Sequence, residues 1–104
     1  MLSLLAYFFG AVFAVNAVPH FVAGVQGRVF PSPFASPPGI GMSRPMVNVA
    51  WGTTNAVIAW ALLAPTGFDP GRLFDAVTFI IGAILMALFL GWHFGRVMAE
   101  RDPG

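Results

Sequence analysis

The sequence predicts an all-α integral membrane protein with three transmembrane helices and a Pro/Gly-rich loop between the first two. Three observations predict it. Of the 104 residues, 58% are apolar and 9% charged, against about 45–50% and about 25% in a soluble domain. The mean hydropathy is +0.81. The apolar residues gather into three runs, each near the ~20 residues that cross a bilayer. A soluble chain this short cannot hide so much apolar surface, because its surface-to-volume ratio is too high. A disordered chain, a soluble enzyme domain and a nucleic-acid binder are thereby excluded.

The first run covers about residues 2–25 and carries no charge. It reads as a membrane helix rather than a cleaved leader. No Lys or Arg precedes it, and it continues past the small residues near Ala17. The second run covers about 46–64 and the third about 73–97. Together they make one transmembrane domain, 1–104, with little room for anything outside the membrane. Buried helices of a soluble bundle would show a charged stripe. The first two runs hold no Asp, Glu, Lys or Arg. The third carries Asp75 near its start and Arg96 near its end.

Basic residues flanking the spans predict orientation. Arg28 and Arg44 flank the first connection, and Arg96 and Arg101 lie at the C-terminal end. Only Arg72 lies on the other side. The expected topology puts the N-terminus outside, with the first loop and the C-terminus cytoplasmic, in a bacterial inner membrane. All five basic residues are Arg, which reads first as genome composition. The absence of Cys excludes disulfides, thiolate metal sites and a Cys nucleophile. The net charge of +1 points to no electrostatic partner.

The two connections differ. Residues 65–71 carry turn signals, Thr-Gly and Asp-Pro-Gly, and predict an antiparallel hairpin of the second and third spans. Residues 26–45 hold five Pro, three Gly and three Ser. A long loop in so small a domain is functional or a linker. Phe30 and Phe34 are poorly placed in open water. The loop is therefore expected to fold back over the bundle end or to dip into the interface, with both rings buried, against the alternative of a mobile linker.

Polar groups inside the spans face the bundle interior. Asn16 and His20 lie four apart on one face of the first span, with Pro19 between them. Pro19 frees the carbonyl of Val15 and predicts a local opening there. Asn48, Trp51, Gly52 and Asn55 form one stripe on the second span. Gly52, Ala56 and Ala59, Gly10 and Ala14, and Gly91 and Gly95 read as small residues for helix packing. At 1.5 Å per residue, Asn16 and Asn55 both lie about 14 Å from the shared ends of their helices. His20, Trp51 and His93 lie about 6–8 Å deep. Asn16 is thus expected to meet Asn55, with His20, Asn48, Trp51 and His93 in the layer below. Asp75 reads as an acid at a helix N-terminus, near Arg72 and the interface. Trp60 and Trp92 fit the aromatic belt, and Tyr7 is placed to reach outward.

Three readings of the polar layer follow. In the first it is structural: the Asn residues bond across helices, the histidines satisfy carbonyls freed near Pro19, and the protein is a scaffold or accessory subunit. In the second it binds a lipid-like, quinone-like or haem ligand, with His20 and His93 as axial ligands in the haem case. Met86 and Met98 are the only further soft ligands on or beside the third span. In the third it lines an oligomeric transporter or pore. Catalysis and a metal site are not expected, since Ser3, Ser32, Ser36 and Ser43 lack a neighbouring base or a G-x-S-x-G context. The small-residue faces predict a homo-oligomer or a place in a larger membrane complex, surrounded by lipid.

The segments Asn16-x-x-Pro19-His20, Gly27-Arg28-x-Phe30-Pro31-x-Pro33-Phe34, Pro37-Pro38-Gly39 and Asn48-x-x-Trp51-Gly52-x-x-Asn55 together resemble a family of small, uncharacterised bacterial membrane proteins with about three spans. The resemblance covers the first half of the chain. It implies a membrane location and a loop that belongs to the fold. It implies no activity and assigns no functional residues.

Overall fold

The computed structural model describes residues 2–101. Among them are three helices: α1 (Leu2–Val25), α2 (Pro45–Leu63) and α3 (Leu73–Arg101). Two short strands, β1 (Phe30–Pro31) and β2 (Met42–Ser43), lie in the first connection. The second helix starts one residue earlier than the sequence suggests, and the third continues one further turn, through the polar residues Glu100 and Arg101. All three helices are long and apolar enough to cross a membrane. Only 22%, 22% and 17% of their most apolar windows are buried within the chain. A helix that is apolar on faces its own chain does not cover needs a non-aqueous surround. The all-α fold with three membrane spans therefore stands, and the protein is a multi-pass membrane protein.

The helix ends follow from local chemistry. Beyond α1, Gly27 adopts φ 71°; its N–H donates to Gly24, and that of Arg28 donates to Ala23 at 2.9 Å. Gly67 (φ 73°) ends α2 in the same way, with Phe68 N–H donating to Leu63. Both are Schellman ends, which need a residue free to enter the left-handed region. Pro45 opens α2 at its first turn, where a missing N–H costs nothing.

The hairpin expected of the second and third spans does not form as a packed pair. Helix α1 packs against both α2 and α3, whereas α2 and α3 scarcely touch. The reason lies in the small residues. A Cβ at Gly52 would come within 2.6 Å of the Phe21 backbone nitrogen, and one at Gly82 within 2.5 Å of the Phe8 carbonyl. Each glycine lets its helix seat directly on α1. Gly91 and Gly95 do not behave as expected: a Cβ at either meets nothing within 4 Å, and both line an open apolar groove beside Val15, Val18 and Pro19 of α1 instead of a close helix contact.

At the end of the molecule that holds the 64–72 turn, Tyr7 is 3% exposed and its hydroxyl donates to the Thr66 carbonyl at 2.6 Å. It does not reach outward, because the turn folds over it and Phe68 packs edge-on at 5.2 Å. Asp75 is buried, 7% exposed, and accepts the Asp69 N–H. Arg72 pairs with Asp69 at 3.7 Å instead of with Asp75, and both partners are exposed.

The 26–45 loop is a folded cap. Its strands pair antiparallel, Phe30 with Ser43 and Pro31 with Met42. Gly39 N–H donates to Ser32 and Gly41 N–H to Pro37, each at 2.8 Å. The Ser32 and Ser43 hydroxyls bond at 2.6 Å in a buried contact. Phe30 is half-buried, edge-on to His20 and tilted against Phe94. Phe34 corrects the expectation of two buried rings: it is 66% exposed, with one edge against Trp51 at 5.2 Å.

Candidate functional site

The spacing of four on α1 and of seven on α2 puts two pairs of polar side chains at matching heights. Asn16 Nδ2 donates to Asn55 Oδ1 at 3.0 Å. Asn55 Nδ2 turns back along its own helix to the Trp51 carbonyl at 2.8 Å. Nearer the loop, His20 Nδ1 lies 2.8 Å from Asn48 Oδ1. Asn48 Nδ2 faces the carbonyls of Phe30 at 3.0 Å, Ser43 at 3.3 Å and Arg44 at 3.4 Å. Asn48 and Asn55 are 0% exposed and His20 2%.

This geometry sets the His20 tautomer. The Asn48 amide nitrogen donates to carbonyls, so the amide oxygen is the acceptor that meets His20. His20 Nδ1 therefore carries a proton. In the neutral ring Nε2 keeps its lone pair. On α3, His93 Nε2 lies 2.8 Å from the Gly39 carbonyl. A carbonyl only accepts, so Nε2 carries the proton there, and the neutral ring keeps its lone pair on Nδ1. Neither bond goes to Val15: the histidines serve Asn48 and Gly39, and α1 runs unbroken through Pro19.

A cavity of about 140 Å³ lies between the helices and the loop. Helix α1 contributes Asn16 and His20, and α2 contributes Trp51. Met86, Phe89, Leu90, His93 and Phe94 come from α3, and Ser32, Pro33 and Gly39 from the loop. Four of the six residues singled out by sequence thus line one space. Asn48 and Asn55 stand behind it as partners of His20 and Asn16. Phe30 and Phe34 do not form its cover; Ser32, Pro33 and Gly39 do. Phe94 links the two histidines, 5.9 Å from His20 and 5.2 Å from His93 by ring centre.

Sequence reasoning missed Ser32, Gly39, Phe89 and Phe94. Phe94 carried one signal, its place next to His93. Ser32 and Gly39 carried none, because their positions depend on the fold of the loop. Among the described residues no group of three His, Cys, Asp or Glu is placed to hold a metal ion. The cavity, at about 140 Å³, is smaller than a porphyrin ring. The Trp51 Nε1–H is buried, and among the described residues it has no hydrogen-bond partner.

Comparison with protein-family models, with curated proteins and with solved structures finds no match to this chain.

Proposed function

We propose that this is a structural, accessory-type membrane protein of a bacterial cytoplasmic membrane, whose polar layer holds a shaped cap on a helix bundle. Asn48 carries this reading. Its oxygen meets α1 through His20, and its nitrogen meets the backbone of both loop strands and the start of α2. A fully buried amide engaged with four segments of its own chain fixes shape. His93 adds the third helix through Gly39. The result is a cap tied to all three helices, as a subunit that works by presenting a surface requires.

The orientation that fits the Arg distribution puts this cap on the cytoplasmic side. The chain has no Cys, so single cysteines at Ser36 and Thr66 report it directly. A membrane-impermeant thiol reagent applied to intact cells should label the Thr66 variant and not the Ser36 variant. The reverse pattern refutes the orientation.

The assembly part of the reading rests on Gly91 and Gly95, which lie open on α3 and let a further helix approach closely. A mass above the monomer is expected in mild detergent and in native nanodiscs. A monomer in both refutes the assembly.

A further inference from the structure

We propose that the cavity behind the cap binds the ring of a quinone. Three observations carry this beyond the structural role. The first is the Trp51 indole, which lines the cavity while its buried N–H has no partner. Buried donors in folded proteins are nearly always satisfied, and an orphan calls for an acceptor. A quinone carbonyl is such an acceptor.

The second is the pair of tautomers. His20 Nδ1 and His93 Nε2 are held by Asn48 and Gly39, which leaves a lone pair on each neutral ring. A hydroquinone hydroxyl donates to such an atom. Trp51, His20 and His93 all line the cavity, so its residues include both a donor and acceptors, matching the two forms of one ring.

The third is the shape and charge of the space. About 140 Å³ holds a single ring and not a whole drug-sized molecule. Phe89, Phe94 and Trp51 provide flat apolar faces for it. No Arg lines the cavity, so a phosphate head group finds no counter-charge. Arg96, the basic residue nearest along α3, lies over the Trp92 ring instead, at 4.8 Å.

The test uses the full chain in nanodiscs with Trp60→Phe and Trp92→Phe, both at exposed positions, so that Trp51 is the only indole. The probe is 2-decyl-1,4-benzoquinone. Quenching of Trp51 should saturate at one quinone per chain. Met86→Phe, which fills the cavity, should weaken binding at least tenfold while the melting curve stays close to that of the parent. Trp51→Phe, read by calorimetry in the natural-Trp chain, keeps the ring and loses the N–H; it should weaken binding about tenfold, the scale of one buried hydrogen bond. Quenching that rises linearly with quinone, with the slope of a Trp60-only protein, is collision in the bilayer and overturns the proposal. Saturable binding that Trp51→Phe leaves unchanged lies elsewhere on the protein and also overturns it.

Discussion

Replacing Asn48 with Leu keeps the side chain's bulk and removes its amide. Two close bonds are lost at once, the 2.8 Å contact with His20 and the 3.0 Å contact with the Phe30 carbonyl. Each buried group left without a partner costs about 1–3 kcal/mol. Against this, polar bonds between membrane helices contribute only about 0.6 kcal/mol on average, because separated helices find other partners. The loop carbonyls differ, since their alternative partner is water, reached only by undoing the cap. The expected loss is therefore about 2 kcal/mol. Asn16→Leu removes one interhelical bond, to Asn55, and should cost about 0.6 kcal/mol. Reversible unfolding in mixed micelles measures both. Amide exchange supplies the second readout: the Gly39 and Gly41 N–H groups, bonded within the loop at 2.8 Å, should exchange faster in Asn48→Leu and not in Asn16→Leu. Equal losses in the two variants, or unchanged exchange at Gly39 and Gly41, would refute the role given to Asn48.

Gly52→Ala and Gly91→Ala should act with opposite signs in the same unfolding assay. The first drives a methyl group into the Phe21 backbone and should cost about 1–3 kcal/mol. The second meets open space within its own chain and, in the monomer, should gain up to about 1 kcal/mol from helix propensity. Tyr7→Phe loses the bond to Thr66 and should cost about 1 kcal/mol, with faster exchange confined to the 64–68 turn. Arg72→Ala breaks a pair that is exposed at both ends and should leave the unfolding midpoint nearly unchanged; a clear drop would show that the pair matters beyond a surface contact.

Much of the architecture was legible in the chain because membrane spans announce themselves by length and by missing charge. The Asn16–Asn55 and His20–Asn48 pairings were legible too, from depth alone, since helical rise converts residue number into height. The packing partners were not. Helices that are apolar on every side give no periodicity from which to read a neighbour, so the central place of α1 was hidden. Gly91 and Gly95 show the same limit, for a small residue signals a close approach without saying to what. Tyr7 was misplaced because a hydroxyl near a span end was assigned to the interface, while the folded turn offered it a carbonyl. Phe34 was misjudged because the folded loop offers its ring only the edge of Trp51. The destinations of the Asn48 and His93 bonds are backbone carbonyls, and a carbonyl's direction is set only once the loop has folded.

The central position of α1 also divides the molecule into two independent joints. The α1–α2 joint turns on Gly52 and the α1–α3 joint on Gly82, and α2 and α3 scarcely touch. Residues that share no partner contribute additively, so strain at one joint stays there. The cap is one of two places where this separation fails; the other is the 64–72 turn, where Tyr7 of α1 meets Thr66 and Asp75 of α3 meets Asp69. Through His20, Asn48, Gly39 and His93 the cap works as a latch across both joints. Whatever loosens it leaves the turn, at the far end of the bundle, as the remaining tie.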